Sequence, residues 1–476
     1  MKIVLITPPP LKSLIYGDMK FSKVDSVVPP LGLLSLAAYI RKHGHSAVIL
    51  DGYAYNYNID KIVNEIKNAN CDVVGITATT PLINSAIDVA NRIKNDLDIK
   101  KIIIGGPHLT ALPEETIKND CFSVGIIGEG EITLRELLDA YEQGRDIADI
   151  LGIIFKKGQI ITRNEERTKI ENLDELPFPA WDLLPSILKP YRASIIGTTG
   201  MRSTPIVTSR GCPAQCIFCD TTTFGRRYRF FSADYVLSMI EHLFILYNIN
   251  DFLIYDDTFC ANRQRLKAIC NGIIEKGLSI SWQCCARVEQ VNEELLALMR
   301  RAGCWQIEYG IESGDPKILE IMKKGIDLDK ARKIIELTDR NGIQARGNFI
   351  FGNLMETKES LQRTINFALS TELTYVQQTF LTPYPGSEIF SVADKYGTFS
   401  SDYNKMSNMT INFIPSGLTE KDLKYYSSLF FRKFYLRPKI IIKFIKSIKS
   451  FESLKRLVIS FIVFLGYIVD GRLSDK

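Results

Sequence analysis

One run of residues carries most of the information in this chain: Thr208-Ser209-Arg210-Gly211-Cys212-Pro213-Ala214-Gln215-Cys216-Ile217-Phe218-Cys219-Asp220. It follows a strand-like segment, and its three cysteines have the spacing C-x3-C-x2-C on a loop that begins with glycine. Such a loop can wrap three thiolates around one corner of an iron–sulfur cluster, because cluster iron prefers soft, deprotonated sulfur. Three ligands on a four-iron cluster leave one iron open for a substrate or cofactor.

A structural zinc site is the main alternative for these cysteines. Zinc sites usually pair a C-x2-C unit with a second pair of Cys or His residues at a definite distance, and no such pair follows. Cysteines that only fill a core are not expected on a loop that contains Gly211 and Pro213. We therefore predict that Cys212, Cys216 and Cys219 are catalytic residues that bind a 4Fe–4S cluster.

Size and composition restrict the class of protein. The chain of 476 residues is long enough for two or three domains, and its 46% hydrophobic and 24% charged residues are typical of a globular protein. A net charge of +5 does not favour a nucleic-acid partner, which calls for a concentrated basic face. Ten cysteines without a signal peptide indicate reduced thiols, so we expect a cytoplasmic protein.

Residues 1–145 alternate short apolar runs with helical segments. Strands buried on both faces and joined by helices predict a doubly wound parallel α/β sheet, with its ligand at the carboxyl ends of the strands. The predicted strands are Lys2–Thr7, Ala47–Asp51, Asp72–Thr77 and Lys101–Ile104, and the predicted helices are Leu31–His43, Ile59–Asn68 and Ser85–Leu97.

The loops after these strands hold the candidate cofactor-binding residues of this domain. Glycine lets a backbone approach a bulky ligand closely, and threonine hydroxyls can donate to it. No G-x-G-x-x-G follows the first strand, which argues against a nicotinamide dinucleotide. A structural domain whose glycines only make turns remains the alternative. The candidates are Thr77, Thr79, Gly105, Gly106, Pro107, His108, Gly128 and Glu129.

Residues 201–400 again alternate strand and helix. With the strand before Cys212 they make six β/α units, which predicts an open six-unit barrel whose chemistry lies at the carboxyl ends of its strands. Carboxylates there can accept hydrogen bonds from an adenosyl ligand, and arginines can hold its carboxylate. Ion pairing or helix capping is the alternative role for each candidate. The candidates are Asp256, Asp257, Arg287, Glu312 and Arg346.

The remaining segments are predicted as connectors and caps. Residues 146–200 form a linker, with a hairpin at 152–161 that turns at Lys157-Gly158 and a Pro-rich connector whose aromatics pack between domains. Residues 401–476 are predicted to be helical, without strands, and either cap the barrel or lie on an anionic membrane surface. The other seven cysteines are predicted to pack as small hydrophobic residues, with one of Cys284 and Cys285 facing the barrel.

The first half resembles the cobalamin-binding domain of cobalamin-dependent radical SAM proteins. The segments that carry the resemblance are Pro29-Pro30-Leu31-Gly32-Leu33, Asp51, Gly75-Ile76-Thr77, Gly105-Gly106-Pro107-His108 and Gly128-Glu129-Gly130-Glu131. The resemblance implies that Thr77, Thr79 and the glycine pair hold the nucleotide tail of cobalamin. The Asp-x-His-x-x-Gly segment is absent, so no histidine ligand to cobalt is expected.

The second half resembles a radical SAM core, and the resemblance covers nearly the whole chain. Phe218 is implied to pack near adenine, and Ile350 to contact it. Asp256-Asp257, Glu312-Ser313-Gly314 and the strand up to Gly352 occupy the positions of S-adenosylmethionine-contacting segments. Where the family often has Gly-x-Pro-Gly-Glu-Thr, this chain has Gly352-Asn353-Leu354-Met355-Glu356-Thr357, so the shape of that loop is left open.

The resemblance implies an enzyme similar to methyltransferases and to magnesium-protoporphyrin monomethyl ester cyclases. Reductive cleavage of S-adenosylmethionine would give a 5′-deoxyadenosyl radical that abstracts hydrogen from an unactivated carbon, followed by methyl transfer from methylcobalamin. Alternatives are a cyclase, oxidase or rearrangement enzyme without methyl transfer, and a non-catalytic corrinoid or iron–sulfur sensor or carrier. A methylthiotransferase is disfavoured, because residues 1–145 contain only Cys71 and Cys121.

The expected partners follow from the same resemblance. They are a small-molecule or lipid substrate and an external low-potential electron donor of the flavodoxin or ferredoxin type. Capping of the barrel by the C-terminal region is favoured, and it leaves room for peripheral contact of that region with the inner face of the membrane. The identity of the substrate is not legible in the sequence.

Overall fold

The computed structural model describes residues 1–10, 27–191 and 202–447, and its first domain is a seven-stranded sheet with helices on both faces. The strand order is β2-β1-β3-β4-β5-β6-β7, with parallel pairing from β2 through β5. The elements are β1 Lys2–Thr7, α1 Leu31–Lys42, β2 Ser46–Asp51, α2 Ile59–Ala69, β3 Val73–Thr77, α3 Ile83–Asp96, β4 Ile102–Gly105, α4 Pro107–Ala111, α5 Pro113–Ile117, β5 Val124–Ile126, α6 Glu131–Gln143, β6 Ile153–Lys157 and β7 Ile160–Arg163.

This sheet confirms the doubly wound α/β prediction. The central strand β1 is buried on both faces from Ile3 to Ile6, as a parallel sheet covered by helices requires. Helix α2 starts where the side chain of Asn58 accepts a hydrogen bond from the amide of Lys61, and it buries Ile62 and Ile66 against the sheet. Each predicted element appears, with ends that differ by one or two residues.

The hairpin predicted in the linker is part of this sheet. Strand β6 pairs antiparallel with β5, Val124 opposite Phe155, and β7 pairs with β6 around a turn where Gly158 has a φ of 66°. The sheet therefore extends to Arg163, past the boundary at residue 145. The hairpin covers the edge of β5, which would otherwise expose unpaired backbone groups.

The Pro-rich connector packs between the two domains, as predicted for its aromatics. Trp181 is buried, and Phe178 meets Tyr235 edge-on at 4.9 Å between ring centroids. Arg41 of α1 forms an ion pair with Asp182, which joins the connector to the first domain. Its predicted last residues, 192–200, lie outside the described residues.

The second domain is an open barrel made of one six-stranded parallel sheet, as predicted. The strand order is β15-β14-β13-β12-β11-β8. The elements are β8 Ser203–Ile206, β9 Ser209–Arg210, β10 Arg229–Phe230, α7 Ala233–Tyr247, β11 Asp251–Ile254, α8 Arg263–Glu275, β12 Ser281–Ala286, α9 Glu293–Arg301, β13 Cys304–Glu312, α10 Pro316–Ile321, α11 Leu328–Arg340, β14 Gln344–Phe351, α12 Lys358–Leu369 and β15 Tyr375–Phe380.

The prediction that strands end near residue 400 is wrong. After α13 Ala393–Tyr396, a two-stranded antiparallel sheet pairs β16 Gly397–Phe399 with β17 Phe413–Pro415. Both strands are only three residues long, too short for a periodic sequence signal. The helices α14 Glu420–Tyr435 and α15 Pro438–Ser447 follow, and the rest of the C-terminal region, including the apolar segment 457–469, lies outside the described residues.

Helix α14 caps the edge of the barrel, one of the two outcomes expected for this region. Phe430 is buried and lies 5.2 Å from the ring of Phe349 and 5.4 Å from that of Phe351. Tyr435 Oη lies 3.2 Å from the amide nitrogen and 3.0 Å from the carbonyl oxygen of Val376, so it satisfies backbone groups of edge strand β15. Within the described ranges, no helix is long and apolar enough to span a bilayer.

We expect Phe430→Ala to destabilise the barrel by about 3–5 kcal/mol, because it leaves a cavity between α14 and β14. The urea midpoint of the protein without cofactors measures this. Tyr425→Ala on the same helix is the control, since Tyr425 is exposed and should change stability little. Equal effects of the two substitutions would contradict the capping role.

Candidate functional site

The cysteine loop begins at Gly211, where any other residue would force neighbouring backbone atoms to move. Gly211 has a φ of 83°, and a Cβ there would collide with the carbonyl oxygen of Arg227 and come within 2.9 Å of that of Gly225. Further along, the amide of Ile217 donates to the carbonyl of Met322 at 3.1 Å, and the amide of Ile389 donates to the carbonyl of Ile217 at 3.1 Å. The loop is thus fixed on both sides at the mouth of the barrel.

The three cysteines on this loop form a donor set suited to cluster iron. Their side chains are free thiols, and a hydrogen bond from Cys219 is the largest of the influences that lower the pKa of Cys216 to about 6. The nearby cations Lys324 and Arg287 act in the same direction, whereas the hydrogen bond to Cys216 raises the pKa of the donor Cys219. Thiolate is the form that binds metal, and Cys216 is the one of the three whose pKa favours it, because burial raises the pKa of Cys212.

A buried ion pair of Glu312 and Lys324 lies beside the cysteines. The sequence predicted Glu312 as a site residue but not Lys324. Lys324 Nζ is 2.7 Å from Glu312 Oε1, both side chains are buried, and Nζ is 5.8 Å from the centroid of the Phe218 ring. Burial opposes the charge on Lys324, but Glu312 and Cys216 outweigh it and raise its pKa. The pair needs Gly310, because a Cβ there would lie 2.5 Å from Glu312 Oε1 and 2.8 Å from Lys324 Nζ.

Glu312 itself adopts a backbone conformation that is rare for a residue with a side chain. Its φ is 67°, in the left-handed region, where non-glycine residues cost of order 1–3 kcal/mol. Strand β13 is also irregular between Gly310 and Glu312 in its pairing with β14. Strain of this kind turns the carboxylate toward Lys324, in keeping with a ligand-contacting role for Glu312.

Arg287 supports this pair from below. Its Nη2 donates to the carbonyl oxygens of Lys324 at 2.6 Å and Gly325 at 3.3 Å, and its Nε lies 3.4 Å from Glu289. The predicted contact of Arg287 with a cofactor carboxylate is therefore replaced by contacts with the backbone next to Lys324. A lysine in the short turn between α10 and α11 carries no sequence signal, which explains why Lys324 was missed.

The adjacent residues Asp256 and Asp257 have different environments. Asp256 is buried and accepts hydrogen bonds from the amide of Thr208 at 2.5 Å, from Thr208 Oγ1 at 2.6 Å and from Ser209 Oγ at 2.6 Å. Asp256 therefore holds the segment that leads into the cysteine loop, and its contact with the adenosyl ligand stays a prediction. Asp257 is exposed beside Gly211 and remains a candidate contact.

Arg346 lies deeper in the barrel than predicted. It pairs in register with Glu308, four residues before the strand end at Glu312, and its Nη1 lies 3.1 Å from Glu308 Oε1. A contact with the ligand of the cluster is therefore not supported. Ile350, in contrast, packs in the same apolar cluster as Ile217 and Phe218, so the two implied adenine contacts are brought together.

The loop after β14 keeps its turn although it lacks Pro-Gly. Met355 adopts a φ of 59°, a conformation that glycine adopts without strain. Glu356 is buried, and its Oε2 accepts hydrogen bonds from the amides of Gly352 at 2.6 Å and Asn353 at 2.9 Å. Glu356 thus closes the loop by itself.

In the first domain the predicted loops meet at the carboxyl edge of the sheet. Gly106 has a φ of 98°, and a Cβ there would lie 2.6 Å from Thr77 Oγ1 and 2.9 Å from the carbonyl oxygen of Ala78. Gly105, Gly106 and Thr77 are therefore packed together, and Thr79 is exposed on the next loop. These residues, with Pro107 and Gly128, stay predicted contacts of the cobalamin tail.

His108 faces the protein interior, and its predicted role in binding a cofactor stays a prediction. It is buried, its Nδ1 lies 3.3 Å from Thr80 Oγ1, and its ring meets that of Tyr403 edge-on at 4.8 Å. Burial lowers the pKa of His108 to about 4, so the ring is neutral at physiological pH. It joins the first domain to the segment that follows the barrel.

Glu129 also contacts protein side chains. Its carboxylate lies 2.9 Å from Arg210 Nη1 and 2.9 Å from Arg229 Nη1, and all three side chains are buried. The Gly-Glu-Gly-Glu loop therefore contacts the residue that precedes Gly211. The predicted contact of Glu129 with cobalamin stays a prediction.

Comparisons with known proteins agree with this architecture. Residues 20–138 match the family model of the B12 binding domain, and residues 206–368 match that of the Radical SAM superfamily. A Pyrococcus horikoshii protein described as uncharacterized methyltransferase PH0819 is 35% identical over 446 residues, which cover 93% of this chain and 94% of the relative. The chain belongs to the cobalamin-binding radical SAM methyltransferase family.

Two further proteins are similar to the chain. The anaerobic magnesium-protoporphyrin IX monomethyl ester cyclase of Rubrivivax gelatinosus is 28% identical over 421 residues, covering 86% of this chain and 74% of the cyclase. The second is the radical S-adenosylmethionine methyltransferase TsrM of Kitasatospora setae, whose structure contains cobalamin and a 4Fe–4S cluster. Its TM-score is 0.70 at 16% identity, over 92% of this chain and 89% of TsrM, so the two proteins share a fold.

Membership settles the cofactors and the class of protein. The chain is a radical SAM enzyme whose cofactors are a 4Fe–4S cluster, S-adenosylmethionine and cobalamin, and the sequence-based expectation of these three is confirmed. The donor set of Cys212, Cys216 and Cys219 fits the cluster, because it supplies three sulfur ligands, one with a lowered pKa.

The lowered pKa of Cys216 gives a testable pH dependence. In the protein without its cluster, alkylation of Cys216 by iodoacetamide should rise as pH passes about 6, since the thiolate is the reactive form. Lys324→Met should move this rise to higher pH, and Lys324→Arg should largely restore it. Peptide mass spectrometry after timed alkylation measures the profile, with Cys71 as an internal reference outside the loop. An unchanged profile in Lys324→Met would contradict the role of the lysine.

Proposed function

We propose that this enzyme is a C-methyltransferase that binds a small polar substrate between the mouth of its barrel and the strand-end loops of its first domain. The observation that supports it most is the contact of Glu129 with Arg210, which brings the carboxyl edge of the first sheet against the cysteine loop. A second contact supports the same arrangement: Asn84 Nδ2 lies 3.0 Å from Asn404 Oδ1, and Tyr403 Oη lies 2.7 Å from Glu115 Oε1.

The proposed chamber is the space between the mouth of the barrel and the strand-end loops of the first domain, and the groups around it have separate tasks. The cluster supplies the electron that cleaves S-adenosylmethionine, and cobalamin supplies the methyl group. The cysteines hold the cluster, and Lys324, Glu312 and Asp257 present charges where an adenosyl ligand with amino and carboxylate groups would lie. Phe218 and Ile350 add an apolar wall beside them, which limits the access of water to a radical.

The inner face of the barrel favours a polar substrate. Arg346 pairs with Glu308 and donates to Gln377, and Asn348 Nδ2 lies 3.5 Å from Glu308 Oε2. Among the described residues, buried amide atoms on this face have no hydrogen-bond partner, namely Nε2 and Oε1 of Gln306, Oε1 of Gln283 and Oδ1 of Asn348. Buried polar groups without partners are costly, so a ligand or water that hydrogen-bonds to them fits better than an alkyl chain.

The test of methyl transfer does not need the substrate. Anaerobically reconstituted enzyme with S-adenosylmethionine and titanium(III) citrate should form 5′-deoxyadenosine whether or not cobalamin is bound, and S-adenosylhomocysteine only with cobalamin. Liquid chromatography with mass spectrometry measures both products. In the cell we propose that a flavodoxin or ferredoxin delivers the electron.

Matched variants assign the two products. Cys219→Ala should abolish 5′-deoxyadenosine, because only two cluster ligands remain, whereas Cys71→Ala should change neither product. Formation of 5′-deoxyadenosine with no S-adenosylhomocysteine at full cobalamin occupancy would contradict methyl transfer and favour the cyclase or rearrangement alternative. Absence of both products would favour a non-catalytic carrier.

We also propose a peripheral membrane contact through helix α15. Its side chains Ile441, Ile442 and Ile445 are exposed, and Lys439 and Lys443 lie on the same helix. An apolar row flanked by lysines is typical of a helix that lies in an anionic membrane surface. Cytoplasmic residence with contact at the inner membrane face fits this chemistry.

Vesicle sedimentation tests this contact. We expect the enzyme to bind vesicles containing phosphatidylglycerol more strongly than vesicles of phosphatidylcholine alone, and the triple substitution Ile441→Ser, Ile442→Ser and Ile445→Ser to weaken this binding. Ile245→Ser is the control, since Ile245 is also an exposed isoleucine, on α7. Equal binding by the triple variant and the wild type would remove the helix from the proposal.

A further inference from the structure

Four charged side chains are buried where the two domains meet. Glu129 and Glu131 come from the loop after β5, and Arg210 and Arg229 come from β9 and β10 of the second domain. The exposed fractions of these side chains are only 3–8%. Two carboxylates face two guanidinium groups, so the group as a whole is neutral.

Most donors and acceptors of these four side chains form hydrogen bonds. Glu129 Oε1 lies 2.9 Å from Arg210 Nη1 and 3.0 Å from Arg229 Nη1, and its Oε2 lies 2.9 Å from Arg229 Nη1. Glu131 Oε1 accepts from Arg210 Nη2 at 2.6 Å and from Ser35 Oγ at 2.8 Å. Charged groups with such complete hydrogen bonding are fixed in position, because any shift leaves a buried charge without its partner.

The same carboxylate also holds the connector between the domains. The amide of Ile170 donates to Glu129 Oε2 at 2.8 Å, and Arg229 Nη1 donates to the carbonyl oxygen of Ile170 at 2.6 Å. Lys169 next to it donates to the carbonyl oxygen of Thr223 at 2.7 Å, just after the cysteine loop. Three separate parts of the chain therefore meet at Glu129.

The two arginines stand at the two ends of the segment that contains the cysteines. Arg210 directly precedes Gly211, and Arg229 pairs with Arg210 as the opposite residue of the β9–β10 ladder. Arg229 Nη2 also donates to the carbonyl oxygen of Phe224 at 3.1 Å, within that segment. Gly211 has no room to shift, because the carbonyls of Arg227 and Gly225 close around it.

We propose that Glu129 and Glu131 are positioning residues for the cluster: the cobalamin domain sets the geometry of the cysteine loop through Arg210 and Arg229. The ends of residues 210–229 are held by carboxylates that belong to the other domain, so the loop reaches its ligating shape only when the domains are docked. This inference rests on the proposed function only in that the loop holds the cluster.

Burial alone does not explain this arrangement. A buried ion group is weak evidence for stability, because removing charges from water costs about as much as their pairing returns. Its demonstrated value elsewhere is to specify one arrangement over others. Here the specified arrangement is the distance between the edge of the first sheet and the cysteine loop.

The test compares Glu129→Gln with the wild type and with Glu136→Gln. Glu136 forms a partly exposed ion pair with Arg167 of the connector, so the control removes a Glu–Arg contact between the same two segments that does not reach the cysteine loop. The readouts are the iron content after anaerobic reconstitution, and the change that S-adenosylmethionine causes in the electron paramagnetic resonance spectrum of the reduced cluster. Spectra are compared at equal cluster occupancy.

We expect Glu129→Gln to lower iron retention and to lose the spectral change caused by S-adenosylmethionine, with 5′-deoxyadenosine formed roughly ten to a hundred times more slowly, because misplacement on the order of 1 Å is enough for such a loss. Glu136→Gln should behave as the wild type. Arg210→Lys keeps the charge but not the two-point contact, and should lie between them. If Glu129→Gln does not fold, Arg210→Lys tests the same role.

The outcomes separate this inference from the proposed function. Glu129→Gln or Arg210→Lys with wild-type iron content and a wild-type spectral response would overturn the positioning role, even if its melting temperature falls. A wild-type protein that retains no cluster would instead contradict the proposed function. Loss of the spectral response in Glu129→Gln alone supports the positioning role directly.

Discussion

The structure depends on one buried interaction, the contact of Glu129 and Glu131 with Arg210 and Arg229. The carboxylates lie just after strand β5 of the first sheet, and the arginines flank the cysteine loop at the mouth of the barrel. The two sheets share one apolar core through the connector, and the buried ions restrict further how the sheets face each other, because ions buried at an interface tolerate little displacement. The chamber that we propose for the substrate and the two cofactors lies beside this contact.

A second ion pair shapes the mouth of the barrel. Lys324 and Glu312 fill the space left by the missing side chain of Gly310, and the strained backbone of Glu312 turns its carboxylate toward the lysine. The positive charge of Lys324 favours the thiolate of Cys216, so the pair links the expected ligand contact to the cysteine loop. Below it, Glu308 and Arg346 form an ion pair on the polar inner face of the barrel.

Much of the fold could be predicted, because buried strands and amphipathic helices repeat with local periods that one sequence displays. The cysteine loop could also be predicted, since its spacing is local, and the assignment of its three cysteines as cluster ligands stays a prediction. Glu129, His108, Asp256 and Arg346 were assigned to cofactors because a polar residue at a strand end looks the same whether it meets a ligand or a distant side chain. Their partners Arg210, Tyr403, Thr208 and Glu308 lie 38 or more residues away. Lys324 and the short strands β16 and β17 lacked a periodic signal.

We propose that the cluster and cobalamin share one chamber. Electron paramagnetic resonance detects whether the two groups lie close together. The enzyme is loaded with both groups, cobalt is set to the Co(II) state, and the cluster is reduced in part of the sample. The account predicts that the reduced cluster changes the relaxation or splits the signal of Co(II), and that Glu129→Gln alters this interaction while Glu136→Gln does not. Two independent spectra at full occupancy of both groups in the wild-type enzyme would contradict it.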